Sequence, residues 1–239
     1  HREYVTMMHA FHRCAYMNER IEYANRRNAA ETLPSQYLSI ISDGMAQNHC
    51  HLPHLGNQDT FNDPFPQHLQ GVLLHGRKLK IYRTYHTVIN SSSSQIHALL
   101  LALEEVKRDE GKLPDTIYYQ IDGGPENTAK CVLAMCELIV ARRLTKKIII
   151  SRLPVGHTHE DIDSKFGVLW RHIRERHINT PQEYKAHIEL SLSKPNMKCE
   201  VEDVHAIPNY KALLDKHIDP KFEGYIYYNA IPLLMSNST

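Results

Sequence analysis

Three acidic blocks in this chain carry the side-chain chemistry of a divalent-cation site. The first is Asp43 in Ser42-Asp43-Gly44, and the second is Asp122 in Ile121-Asp122-Gly123-Gly124. The third runs from His157 to Asp163, where His157, His159, Glu160, Asp161 and Asp163 fall within seven residues. Carboxylate oxygens are hard ligands that select Mg2+ or Mn2+ over softer metals. Two such ions held by three carboxylates activate a water or hydroxyl and stabilise the leaving oxygen of a phosphodiester. The expected metal-binding and catalytic set is therefore Asp43, Asp122, Asp163 and Glu160, with His159 as a further ligand and His157 and Asp161 as auxiliary groups. Where the third block is helical, Glu160 and Asp163 stand three apart and His159 and Asp163 four apart. Such pairs share one helix face.

These acids need elements that deliver them to one place. Tyr37, Leu38, Ile40 and Ile41 form a short apolar run, read as a buried strand that ends at Asp43. Two more strands are expected over 71–76 and 79–89, joined by the tight turn Gly76-Arg77-Lys78. Short turns suit an antiparallel meander. Ser91–Ser94 breaks the pattern and offers an N-cap to a helix over 95–110, whose Ile96, Leu99, Leu100 and Leu103 form an apolar stripe. Strand and helix then alternate: a strand over 116–122 ending at Asp122, a helix over 126–143, an apolar strand over 147–151 and a helix over 161–178. The order β–β–β–α–β–α–β–α implies an α/β fold with a mixed sheet, three antiparallel strands followed by parallel ones. With the first and fourth strands adjacent, Asp43 and Asp122 emerge at the same edge. Residues 1–34 read as a helical lead-in, 35–178 as the core and 179–239 as a C-terminal extension of helices and strand.

Ser42-Asp43-Gly44-Met45-Ala46-Gln47, Ile121-Asp122-Gly123-Gly124-Pro125-Glu126-Asn127 and Leu153-Pro154-Val155-Gly156-His157-Thr158-His159-Glu160-Asp161-Ile162-Asp163-Ser164-Lys165-Phe166-Gly167 resemble three signature blocks of one family. It is an uncharacterised eukaryotic domain family found in transposon-like genes, with a ribonuclease-H-like core related to transposases and integrases. The resemblance covers about residues 37–175. It implies a DDE-type nuclease or polynucleotidyl transferase, DNA as partner, nuclear localisation, and Glu126 and Asn127 as auxiliary site residues. Gly123 departs from the pattern, because the family carries asparagine after the second aspartate. In integrase-like relatives the third acid lies on the helix after the fifth strand. Asp163 lies 163 − 122 = 41 residues beyond Asp122, Glu160 lies 160 − 122 = 38 beyond it, and Asp161 is a third choice.

Composition limits these readings. Lys and Arg number 28 against 27 Asp and Glu, a net charge of +1, which lacks the basic excess that drives strong phosphate binding. A second reading follows: a domesticated or decayed transposase core that binds protein or nucleic acid without cutting it. A third is a zinc hydrolase, since His157-Thr158-His159-Glu160-Asp161 fits His-x-His-x-Asp, although Ile162 stands where that motif needs another histidine. The plain alternatives are turn residues at Asp43 and Asp122, and cap residues at His157 and His159. The run Asn48–His54 holds soft ligands for a structural zinc, or else a polar loop at the mouth of the site. Arg171 and Arg174 are solvated or contact nucleic-acid backbone, and Trp170 is a core anchor. Five scattered cysteines suit a reducing intracellular compartment. No apolar run approaches the roughly 20 residues of a membrane span. The chain opens on His1 and is expected to be part of a longer protein, with a homo-oligomer as one possible assembly.

Overall fold

A computed structural model describes residues 2–56, 64–88, 91–121, 130–151, 161–218 and 231–232. Helix α1 (Arg2–Thr32) leads into β1 (Tyr37–Gly44), followed by β2 (His54–Leu55), β3 (Gln67–Leu74) and β4 (Lys78–Tyr85). Then come α2 (Ser92–Glu110), β5 (Thr116–Ile121), α3 (Lys130–Ala141), β6 (Lys147–Ser151) and α4 (Asp161–Ile173). The chain continues through β7 (His177–Ile178), α5 (Pro181–Leu192), β8 (Lys198–Asp203), α6 (Tyr210–Leu214) and β9 (Ile231–Pro232).

Seven strands form one sheet in the order β8-β4-β3-β1-β5-β6-β9. β3 is antiparallel to both β1 and β4, while β1, β5 and β6 run parallel. A meander of three strands followed by two parallel strands on the far side of the first is the ribonuclease-H-like mixed sheet, with helices on both faces. Its centre, β1, is buried on both sides because successive side chains point to opposite faces. Leu38 and Ile40 join the core under α2 and α3 with Ile96, Leu99, Ile117 and Val132. Ile41 joins the opposite core with Ile162, Phe166, Leu169, Tyr184 and Ile188 of α4 and α5.

Local sequence sets the element ends. The Ser91 N–H donates to Ser94 Oγ at the start of α2 (3.2 Å), and Gly111 ends that helix at φ 79°, a left-handed turn costly for residues with a Cβ. Thr180 and Glu183 cap α5 reciprocally, with Pro181 in its first turn.

Two expectations need correction. The helix expected over 161–178 ends at Ile173, because His177 and Ile178 pair with Leu55 and His54 as a separate two-stranded sheet. The second and third strands are shifted to 67–74 and 78–85. The C-terminal segment also completes the main sheet, since β8 runs parallel to β4. Arg83, 1% exposed, fixes that edge by reaching Asp203 through Nε (2.6 Å) and Nη2 (3.0 Å) and by donating to the Pro181 carbonyl. All five cysteines are free, and Cys131 and Cys136 are both buried on α3. No described helix is long and apolar enough to cross a membrane.

Candidate metal-binding site

Asp43 is the penultimate residue of β1, on the face of Ile41 and therefore on the side of α4. It is half-buried, and its Oδ1 accepts the Gly44 N–H at 2.7 Å. Its partner across β1 and β3 is Gly71. A Cβ on Gly71 would stand 2.8 Å from Ile162 Cδ1 and 2.8 Å from Phe166 Cζ. The glycine therefore lets the first turn of α4 lie directly on the sheet beside Asp43, and that turn carries Asp161 and Asp163. On the other side of β1, β5 runs parallel with Ser42 opposite Ile121, so the two strands are level one residue before Asp43 and one before Asp122. Asp122, Glu126, Asn127, His157, His159 and Glu160 lie outside the described residues.

Asp161 and Asp163 sit in the first turn of α4, where the free N–H groups and the helix dipole favour anions. Asp161 Oδ2 accepts the Tyr23 hydroxyl at 3.0 Å and Arg27 Nη1 at 2.9 Å, and lies 3.4 Å from His75 Nε2. The His75 contact first, then those of Arg27 and Tyr23, hold its carboxyl well below the ordinary range against the opposing effect of burial. His75 is itself buried, with Nδ1 3.0 Å from Ser39 Oγ. Asp163 is half-buried on the same turn. Lys165 follows, its ammonium pushed down by burial and then by Lys194.

Beneath Asp43, on the other face, Ser42 Oγ accepts from the Gln70 amide (2.9 Å) and donates to Gln95 (3.2 Å), whose amide in turn donates to Gln70 (3.1 Å). Next to this network a cleft of about 220 Å³ opens between Gly44, Gln47, His68, Gln70, Thr84 and His97. Burial pushes the imidazoles of His68 and His97 down.

The remaining sequence candidates fall elsewhere. Arg171 is exposed near the end of α4, its Nε 3.3 Å from the Gly167 carbonyl, and Arg174, beyond the helix, pairs with Glu175 at 3.2 Å. Arg171 lies ~12 Å along the helix from Asp163, from the usual rise per residue. The Asn48–His54 run supports packing: His49 stacks on Trp170 at 3.8 Å, and His54 Nε2 meets the Ile173 carbonyl at 3.0 Å. Burial pushes the Cys50 thiol up to about 12. Among the described residues no group of three His, Cys, Asp or Glu side chains forms a metal cage.

Sequence reading missed Tyr23, Arg27 and His75, which stand more than 80 residues before the acid they hold. The only signal available was that Tyr23 and Arg27 are four apart in a helix-forming stretch, which places them on one face.

Residues 57–229 match the model of a family described as Domain of unknown function (DUF7869). The chain belongs to this family. The match begins after α1 and β1, so Asp43 precedes it, while Asp122 and the third acidic block lie within it. No curated protein matches this DUF7869 chain. Among solved structures, it is similar to the Mos1 transposase paired-end complex with left transposon end, at 9% identity and a TM-score of 0.49, over 76% of this chain and 55% of that one. A pre-cleavage Mos1 transpososome gives 9% identity and a TM-score of 0.47 over the same shares. The human cytomegalovirus terminase nuclease domain gives 8% identity and a TM-score of 0.27, over 83% of this chain and 86% of that one. The DUF7869 chain thus spans just over half the length of the transposase chains it matches. At these TM-scores its fold assignment rests on strand order and direction.

Proposed function

We propose that this chain is a transposase- or integrase-like enzyme that hydrolyses or transfers phosphodiester bonds in DNA with two Mg2+ or Mn2+ ions. The observation that carries this reading is one convergence at the end of the sheet. Asp43 is paired with Gly71, the first turn of α4 lies on Gly71, and β5 runs level with β1 to the residue before Asp122. In this reading Asp43, Asp122 and Asp163 are the principal metal ligands and catalytic carboxylates. Glu160 and His159 add ligands, while His157, Asp161, Glu126 and Asn127 are auxiliary. Hard carboxylates at the end of a rigid sheet fit Mg2+ or Mn2+, which when bound supply an activated water and a stabilised leaving oxygen.

The chain's own part is to hold these acids and offer backbone contacts to DNA through Arg171 and Arg174. Asp161 Oδ2 is engaged by a hydroxyl, a guanidinium and an imidazole, which suits the auxiliary role assigned to it here. The same engagement speaks against the zinc hydrolase, whose motif needs Asp161 free for metal. The transposase-like reading also implies a nuclear protein.

A second reading, a core that binds without cutting, is favoured by the net charge of +1 and by Gly123. The test is a cleavage assay on single-stranded, duplex and supercoiled DNA with Mg2+ or Mn2+. We expect cleavage by the wild type and none by Asp43→Asn. Metal-dependent DNA binding with no cleavage by either protein supports the second reading.

A further inference from the structure

We propose that α1 positions the strand-end site, with Tyr23 and Arg27 as positioning residues that hold Asp161 and thereby fix the first turn of α4 and Asp163. The proposal rests on the reading of Asp163 as a metal ligand.

A first helical turn is the part of a helix most prone to fray, because its carbonyls are engaged by only one following turn and its N–H groups by none. Core packing secures α4 along one stripe, through Ile162, Phe166, Leu169 and Ile173. Asp161 stands ahead of that stripe, as the first residue of the helix. There its Oδ2 is met by Tyr23 at 3.0 Å, Arg27 at 2.9 Å and His75 at 3.4 Å. Tyr23 and Arg27 are four apart and share one face of α1. The clamp is anchored at both ends. Arg27 lies 4.0 Å from Glu31, and a Cβ on Gly76 would stand 3.2 Å from the Glu31 Cα, so the end of α1 is seated on the turn between β3 and β4. That turn begins with His75, which Ser39 of β1 holds at 3.0 Å. Three segments thus meet at one carboxylate oxygen, with β1 behind the third through Ser39. α4 and the turn bearing His75 lie within the family match while α1 precedes it, so a helix outside the matched residues braces an acidic turn inside them.

The experiment uses the whole chain and three readouts: Mn2+ titration by calorimetry, hydrogen exchange of the Lys165–Gly167 amides, and thermal unfolding. Those amides bond back to the first-turn carbonyls. Tyr23→Phe combined with Arg27→Gln is expected to weaken Mn2+ binding about 10- to 100-fold, the usual effect of losing an orienting partner. It should also speed exchange at Lys165–Gly167 while leaving α5 amides protected. Arg27→Lys, which keeps a cation, is expected to recover part of the affinity. Unchanged Mn2+ affinity and exchange in the double variant overturns the proposal. So does exchange that rises equally in α4 and α5, because the residues then contribute only to global stability. If the wild type binds no Mn2+, the metal-ligand reading of Asp163 fails. The exchange result alone then decides whether the clamp holds the turn.

Discussion

Two acidic regions of this molecule use the same residue types in opposite ways. Along the edge formed by β4 and β8, the chain supplies the counter-cations itself. Buried Lys80 lies 3.2 Å from Glu105, 3.1 Å from Glu200 and 3.4 Å from Glu202, and Arg83 grips Asp203. At the other region, the strand end, Asp161 takes one guanidinium together with a hydroxyl and an imidazole, and Asp43 takes a main-chain N–H. The edge is neutralised from within and holds the C-terminal segment to the core. The strand end gathers acids from β1 and α4 at the tips of rigid elements. Acid density alone therefore does not mark a metal site, because at the edge the chain's own cations already answer the carboxylates.

The largest effect that tests this contrast is expected at the edge. Arg83→Met removes the guanidinium from Asp203, which keeps the Tyr85 hydroxyl, and from the Pro181 carbonyl. Breaking a buried pair costs about 3–5 kcal/mol, and because Asp203 is 30% exposed the loss should fall at or below the lower end. Urea unfolding measures it, and Mn2+ affinity should not change. A parallel loss of Mn2+ binding would erase the distinction between the two regions.

Gly71→Ala should come next and cross the boundary. Its methyl meets Ile162 Cδ1 and Phe166 Cζ at 2.8 Å, so these side-chain tips must shift. Overpacking of this kind costs about 1–3 kcal/mol. Here the loss of stability should be accompanied by weaker Mn2+ binding, since Ile162 stands in the turn that bears Asp163.

A smaller effect concerns acid. Lys198 first, then Lys80, lower the Glu200 carboxyl to about 2 in the folded chain, against roughly 4.3 when unfolded. A depressed folded value means that the stabilisation is present above the unfolded value and lost as pH falls through the folded one. Glu200→Gln should therefore lower the melting temperature at neutral pH and flatten its decline between about pH 4 and pH 2. A decline identical to the wild type would mean that the edge is not held by these ion pairs.

The smallest change in stability is expected at Arg171. Its side chain is exposed and bonds the Gly167 carbonyl of its own helix, so Arg171→Ala should alter stability by less than about 0.5 kcal/mol. If it contacts DNA backbone, the same change lowers affinity for all sequences and reduces the salt slope by about 1.

How far the sequence showed this contrast depends on distance along the chain. The run to Asp43, the alternation after Asp115 and the helix opening at Asp161 are local patterns, and they suffice for the order of the meander and the parallel strands. Pairings across long separations left no such trace. Glu200, Glu202 and Asp203 look as available for metal as Glu160 and Asp163 until β8 is placed beside Lys80 and Arg83, about 120 residues earlier. The helix expected to run through residue 178 stops at Ile173, because two residues near position 54 claim the segment as a strand. The clamp on Asp161 was likewise invisible, its partners lying 134 and 138 residues away. Asp122, Glu160 and His159 lie outside the described residues, so their part in the site stays with the proposal.

The central claim is that carboxylates at the ends of β1 and β5 bind divalent cations. Calorimetric titration of Mn2+ into the wild type and into the Asp43→Asn, Asp122→Asn double variant tests it most directly. The account predicts saturable binding by the wild type and its loss in the variant, with the melting temperature retained. Equal Mn2+ affinity in the two proteins would contradict it.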